Sequence, residues 1–362
     1  MPTPRLISGE ALAARLEDPA VLVLDVREPD EVAAWAFPGA INIPLGELEG
    51  RLDELPAGRE VVTVCAMGQR ATAGAALLEA AGRPTLVLEG GMAAWSSTYD
   101  EVEGGFAGAT VIQVRRRGKG CLSYVVGAGE RCVVIDPSLA TSRYEAIAAR
   151  KGWTITHVLD THLHADHLSG ARALAATTGA ELWLNPGDPF AFAFTPISDG
   201  KAIELVEGVN LAVASVSVPG HTEGSTMYQL DEAAIFTGDT LFLESVGRPD
   251  LADEAEAYAH HLYRSLHERV LPLPDTVAVF PAHFGPGVEV RAGTLVSRRL
   301  GELRGTLPPL ALDEPAFVDW AIANVKDRPG NYQRIVRINA GREDPGSDVG
   351  ELETGPNRCA IA

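Results

Sequence analysis

The stretch Thr161-His162-Leu163-His164-Ala165-Asp166-His167 packs three imidazoles and a carboxylate into seven residues. No other part of the chain restricts its fold as sharply. Ile155, Val158 and Leu159 ahead of it read as a buried strand, and Leu168 to Thr178 behind it reads as an Ala-rich helix. A loop at a strand end aims its side chains at one spot, and imidazole and carboxylate are donors that borderline divalent metals accept. A polar, solvated loop has no need of this spacing. The other donors of such a site come from separate loops, and three candidates each close an apolar run. His221 lies in Pro219-Gly220-His221-Thr222-Glu223-Gly224 after Leu211 to Val218, Asp239 in Thr237-Gly238-Asp239-Thr240 after Ala233 to Phe236, and His283 in Pro281-Ala282-His283 after Val277 to Phe280. Taken singly, His221 or His283 could be a structural core histidine. Together with the HxHxDH stretch they predict a metal centre at the strand ends of an α/β fold.

Length and charge bound what else is present. At 362 residues the chain is too long for one average domain and predicts two or three. Its 46% hydrophobic content suffices for full cores, while a formal net charge of -19 and a pI near 4.9 argue against nucleic acid or an anionic membrane surface as partner. The four cysteines (Cys65, Cys121, Cys132, Cys359) form no CxxC pair, and Met1-Pro2-Thr3-Pro4-Arg5 lacks the apolar core of a signal peptide. The expectation is a reducing, cytoplasmic setting without a transmembrane segment.

In the first hundred residues Val21 to Leu24, Ile41 to Ile43, Val61 to Val64 and Thr85 to Leu88 read as strands. Ala11 to Leu16, Glu28 to Trp35, Leu45 to Leu55 and Ala71 to Ala81 read as the helices between them, giving a parallel α/β sheet covered on both faces. Val64-Cys65-Ala66-Met67-Gly68-Gln69-Arg70 joins a buried strand to a helix. Backbone N–H groups and the helix N-terminus would stabilise an anionic sulfur at Cys65; an inert buried thiol is the alternative. Asp25-Val26-Arg27-Glu28, Phe37-Pro38-Gly39-Ala40-Ile41-Asn42-Ile43-Pro44, the Cys65 to Arg70 loop and Gly90-Gly91-Met92-Ala93-Ala94-Trp95 resemble a rhodanese, four motifs in the right order. That resemblance implies that Cys65 is a sulfur-accepting nucleophile that becomes a persulfide, and that Arg70 closes the six-residue loop.

Ser96 to Gly108, polar and containing glycines, reads as a linker, which divides the chain into 1–105, 106–341 and a mobile tail at 342–362. Val111 to Val114, Leu122 to Val126 and Cys132 to Ile135 open the second domain as strands, with Arg115-Arg116-Arg117 as a solvated turn and Cys121 and Cys132 as structural thiols. Asp253 to Leu266 and Glu314 to Ile322 read as helices.

From Gly108 to Gly341 the metal-donor set resembles the metallo-β-lactamase superfamily, which implies an αββα sandwich with a metal site at one edge. Gly247-Arg248-Pro249-Asp250 and Pro329-Gly330-Asn331-Tyr332-Gln333-Arg334-Ile335-Val336-Arg337-Ile338-Asn339 are similar to segments of the persulfide dioxygenases within it. That resemblance implies one Fe(II) per chain on His162, His221 and Asp239, with His164, Asp166, His167 and His283 surrounding the ligands and Arg248 on a substrate carboxylate. Two imidazoles and one carboxylate on one face leave positions for O2 and a substrate sulfur. The expected partners are a small persulfide, with glutathione persulfide the first choice, together with thiosulfate, thiol and O2. The carrier thiol and any homo-oligomer stay open. The competing expectation is a thioester hydrolase resembling glyoxalase II, with two Zn on His162, His164, His221, Asp166, His167 and His283, Asp239 bridging, and a metal-bound hydroxide as nucleophile.

Overall fold

The structure is a computed structural model that describes residues 4–206, 212–251, 254–325, 328, 330–347, 349–356 and 359. Leu211, Asp253 and Pro329, each in a stretch singled out above, lie outside the described residues. The chain divides into two compact units: Met1–Asp100 with Arg115–Gly120 and Thr354–Pro356, and Glu101–Val114 with Cys121–Glu353 and Asn357–Ala362.

The first unit is built on β1 (Leu6–Ile7), β2 (Val21–Asp25), β3 (Ile41–Asn42), β4 (Glu60–Val64) and β5 (Thr85–Leu88), hydrogen-bonded in the order β1-β5-β4-β2-β3. All pairings are parallel. The runs Val21-Leu22-Val23-Leu24 and Val61-Val62-Thr63-Val64 are buried on both faces, as central parallel strands require. Helices α1 (Gly9–Ala13), α2 (Pro29–Ala34), α3 (Gln69–Ala80) and α4 (Gly91–Trp95) connect the strands, and separate apolar clusters line the sheet, one around Val23, Val62 and Trp95, the other around Leu24, Val61 and Leu78. The predicted helix at Leu45 to Leu55 is a 3₁₀ segment, Leu48–Glu54, broken at Arg51.

The second unit stacks two sheets. One carries β6 (Tyr99–Phe106), β7 (Ala109–Arg116), β8 (Cys121–Ala128), β9 (Arg131–Ile135), β10 (Thr154–Leu159), β11 (Glu181–Leu184) and β12 (Thr195–Pro196) in sequential order, with α5 (Thr141–Lys151) and α6 (Ala171–Thr178) as crossovers. The other runs β13 (Ala202–Glu204), β14 (Ala212–Ser217), β15 (Thr226–Leu230), β16 (Ala234–Gly238), β17 (Ala278–Pro281) and β18 (Arg298–Arg299). Helices α7 (Ala255–Ser265), α8 (Leu300–Thr306), α9 (Glu314–Ala323), α10 (Tyr332–Asn339) and α11 (Val349–Leu352) complete the unit. A single buried cluster joins both sheets. Tyr124 from the first packs on Phe236 and Phe280 of the second, with ring centroids 4.8 and 5.5 Å apart. The αββα expectation holds, and among the described residues no helix is long and apolar enough to cross a membrane.

Three expectations differ from what is observed. The linker contains a strand, β6, because Val102 supplies a buried anchor among the polar residues. Arg115, Arg116 and Arg117 are buried rather than solvated: Asp100 takes a two-pronged bond from Arg115 at 2.6 Å and a third from Arg117 at 2.9 Å, and the Ser96 carbonyl accepts from Arg116. These partners supply the charge and acceptors that burial of a guanidinium demands. Finally, the segment expected as a mobile tail includes α11, whose Leu352 packs with Leu168, Ile335 and Ile338. Glu353 Oε1 accepts from the Leu168 amide at 2.6 Å, so an anchored carboxylate and an apolar contact hold that end.

Candidate metal centre

The HxHxDH loop follows β10, and several of its backbone groups find partners elsewhere in the second unit. Asp136, just past β9, accepts from Thr161 N at 2.6 Å and from Thr161 Oγ1 at 2.9 Å. It sits at φ +52°, a left-handed conformation uncommon outside glycine, and such strain concentrates at functional sites. Asp188 accepts from Leu163 N at 2.7 Å, from Gly224 N at 2.9 Å and from Thr222 Oγ1 at 3.0 Å, joining the loop to the one that carries His221. The Asn339 amide at the end of α10 donates to the carbonyls of His164 and His167 at 2.9 and 2.8 Å and accepts from Ser169 N at 3.0 Å. This gives the closing Asn331–Asn339 segment a task that no local pattern announced.

These anchors leave three donor atoms facing each other. Because the Thr161 hydroxyl donates to Asp136, it can only accept from His162 Nδ1, 2.9 Å away, and that leaves His162 Nε2 with its lone pair bare. His221 Nδ1 donates to the Arg248 carbonyl at 2.9 Å, which bares its Nε2 in the same way. Asp239 Oδ1 accepts from His283 Nδ1 at 2.7 Å, and its Oδ2 lies 3.6 Å from His162 Nε2 and 3.4 Å from His221 Nε2. All three facing atoms are buried without a hydrogen-bond partner, and the three residues form one group whose donors lie within 4.8 Å of one another. Unsatisfied buried acceptors that converge are destabilising unless a cation joins them, so the residues present fit a metal. The close packing extends to the glycines: a Cβ on Gly247 would fall 1.8 Å from the Asp239 carbonyl oxygen, and one on Gly220 would strike the Leu262 backbone of α7.

Around this triad the remaining predicted residues take distinct positions. His164 turns Nε2 to Asp136 Oδ1 at 3.2 Å and lies 3.9 Å from Asp160. Burial opposes charge on His164, yet Asp136 and Asp160 outweigh it and raise its pKa to about 9; burial pushes Asp160 up to about 7. Asp166 accepts from His167 Nδ1 at 2.9 Å and lies 2.9 Å from His283 Nε2. Arg248 has a different placement from the expected substrate fork. It is buried, and its guanidinium holds Asp250 at 2.7 and 2.9 Å while its carbonyl orients His221. Two thiols read as structural or as part of a tail also reach this region. Cys121 joins Asp166, His167 and His283 in a second group, and Cys359 joins Asp239 and His283 in a third. Cys132, by contrast, is held in an apolar setting that pushes its thiol up to about 12.

In the first unit Cys65 follows β4 directly and is buried, with Sγ accepting the Gly68 amide at 3.1 Å. Gly68, at φ +95°, turns the loop into α3, and a Cβ on Gly91 would fall 2.2 Å from the Cys65 carbonyl oxygen. Arg70 forks onto Glu31 at 2.6 and 2.7 Å, which holds that carboxyl near pKa 2. Met67, at 70% exposure, stands at the loop's tip.

Comparison with known proteins agrees with both units. Residues 8–98 match the rhodanese-like domain model and residues 116–283 the metallo-beta-lactamase superfamily model. The chain is 30% identical over 218 residues to the bovine (Bos taurus) mitochondrial persulfide dioxygenase ETHE1, an alignment that covers 56% of this chain and 83% of that protein. It is 38% identical over 163 residues to a hydroxyacylglutathione hydrolase of Methylococcus capsulatus, covering 43% of this chain and spanning 58% of that relative's length. The crystal structure of ETHE1 from Myxococcus xanthus superposes with a TM-score of 0.57 at 26% identity, over 64% of this chain and 99% of that one. The chain therefore belongs to the ETHE1 persulfide dioxygenase family of the metallo-β-lactamase superfamily, joined here to an N-terminal rhodanese-like domain.

Proposed function

We propose that the second unit is an Fe(II)-dependent oxygenase that converts a small persulfide, O2 and water into sulfite and the parent thiol, and that the first unit moves sulfane sulfur through Cys65. One observation carries the reading: the donors that converge are His162, His221 and Asp239, two imidazoles and one carboxylate, whereas His164 directs Nε2 at Asp136. Fe(II) in such a triad supplies O2 activation and a coordination position for the substrate sulfur. The protein's own part is to fix the ligands. Thr161 and the Arg248 carbonyl set both histidine tautomers, His283 holds Asp239, and the buried surroundings exclude bulk water from the reacting sulfur. Glutathione persulfide is the substrate we assign first, with thiosulfate as a sulfur source for Cys65 and the cytoplasm as location. In the transfer step the Cys65 thiolate attacks the outer sulfur of the donor, the donor's S–S bond breaks, and Cys65 is left as a persulfide with no net oxidation.

A two-zinc thioester hydrolase is the second reading, favoured by the buried group at Asp166, His167 and His283 and by the hydroxyacylglutathione hydrolase relative. The deciding experiment is O2 uptake with glutathione persulfide on iron-loaded protein, with metal analysis of the same sample. About one iron per chain and sulfite formation support the oxygenase. Two zincs, thioester hydrolysis and no O2 uptake overturn it.

A further inference from the structure

The last of the four cysteines stands at the triad, although no sequence motif surrounds it. Cys359 is 3% exposed, and its Sγ, a carboxylate oxygen of Asp239 and a ring nitrogen of His283 lie within 4.8 Å of one another. Its backbone is mounted on the same residue that orients a ligand. Arg248 N donates to the Cys359 carbonyl at 3.0 Å, while the Arg248 carbonyl accepts from His221 Nδ1 at 2.9 Å. The Arg248 side chain is itself clamped on Asp250 at 2.7 and 2.9 Å, so the mount is fixed.

The surroundings separate this thiol from the other two of the second unit. Cys132 lies within β9 in an apolar setting, as a structural thiol does. Cys121 is grouped with Asp166, His167 and His283, none of them a member of the triad. Cys359 instead faces two polar side chains, each 2% exposed or less, whose Asp239 Oδ2 and His283 Nε2 are buried without a hydrogen-bond partner. Buried donors left open in this way call for a cation. A sulfur beside them is a further donor, since the thiolate is the form of cysteine that ligates. Donors that share one ion at about 2.0–2.3 Å lie no more than about 4.6 Å apart, so a small side-chain shift takes Cys359 Sγ onto an ion that Asp239 holds.

We propose that Cys359 is an internal cap on the metal centre: its sulfur takes one of the positions that His162, His221 and Asp239 leave open, the one a substrate sulfur needs. This role rests on those three holding a single ion, and it calls for no second one. A cysteine sulfur has the donor chemistry of the thiol that a persulfide carries, so the chain supplies a stand-in for its own substrate. Held in cis, the stand-in competes at an effective concentration that is in the millimolar range for linked ligands. It keeps the centre closed until a persulfide displaces it. In that exchange one proton passes from the incoming persulfide S–H to the released Cys359 sulfur, and no electrons move.

The test loads the full chain, stripped of metal, with one equivalent of Co(II), whose thiolate complexes show an intense near-ultraviolet charge-transfer absorption. Wild type should show the band with no thiol added. Cys359→Ser should lose the band yet still bind the equivalent, which also shows that the site is folded. Adding glutathione to that variant should restore a band as the vacated position fills. Cys121→Ser should keep the band. In iron-loaded protein the KM for glutathione persulfide should fall about tenfold in Cys359→Ser, with kcat changed less than KM. No band in wild type, a band that survives Cys359→Ser or disappears in Cys121→Ser, or an unchanged KM would each overturn the cap. Retention of Co(II) in His162→Ala would instead refute the triad, so the two claims fail by different measurements.

Discussion

Asn339→Ala offers the most quantitative check on how the centre is held. The side-chain amide makes three hydrogen bonds to the backbone of residues 164–169: two to the carbonyls of His164 and His167 and one from Ser169 N. Truncation leaves two carbonyls and an amide without these partners at a position where Asn339 itself is only 9% exposed. Each such bond is worth about 1 kcal/mol net, and a buried group left unpaired costs about 1–3 kcal/mol. With the lower figure for each bond, the three together give about 3 kcal/mol, roughly a hundredfold in an equilibrium constant. Metal-free protein should show this loss in urea unfolding of the second unit, and chelator competition should show weakened metal binding, because the proposed ligand His162 shares the loop. Asn339→Asp keeps the size but turns a carboxylate toward two carbonyl oxygens, so it should give no rescue. A loss below about 1 kcal/mol with iron affinity unchanged would refute the clamp.

Three further outcomes follow from the same geometry. His162→Ala, His221→Ala or Asp239→Ala should each lose the iron; retention of iron in all three would remove the triad as its site. Cys65→Ser should abolish sulfur transfer while oxidation of preformed persulfide continues, as rates with thiosulfate and with glutathione persulfide would report. Glu31 is depressed from 4.5 to about 2, chiefly by its bond to Arg70. The stability it contributes is therefore full above pH 4.5 and lost as pH falls toward 2. Because this pair is solvent-accessible, its worth is about 1 kcal/mol or less, well under the nominal shift. The difference between wild type and Glu31→Gln in unfolding of the first unit should vanish across that window; a difference that stays constant would contradict the assignment.

What could be read from the chain and what could not divide along one physical line. The candidate donors could be picked out because ligation admits few residue types and the fold brings such residues to strand ends: His162, His221, Asp239 and His283 all follow apolar runs, and so does Asp136 after β9, which the same signal could have identified. The rhodanese motifs were legible because tight turns around Cys65 require small residues at fixed offsets. Where polar residues were read by local rules alone, the reading failed. Three consecutive arginines look solvated until Asp100 and the Ser96 carbonyl are seen beside them. A run with three glycines looks like a joint until Val102 is seen to be buried in a strand.

The metal loop makes the reason explicit. It is irregular and buried, so its amides and carbonyls cannot pair among themselves as a helix or sheet would, yet each needs a partner. Four distant side chains provide five of them: Asp136 for Thr161, Asp188 for Leu163, Asn339 for His164 and His167, and Glu353 for Leu168. A sequence that places three histidines and an aspartate in a buried loop thus requires that such partners exist, but their identity depends on contacts spanning up to 185 positions. Glu353, in a stretch read as a tail, carries no local mark of this task. Its role belongs to the assembled second unit, which brings residues 168 and 353 together.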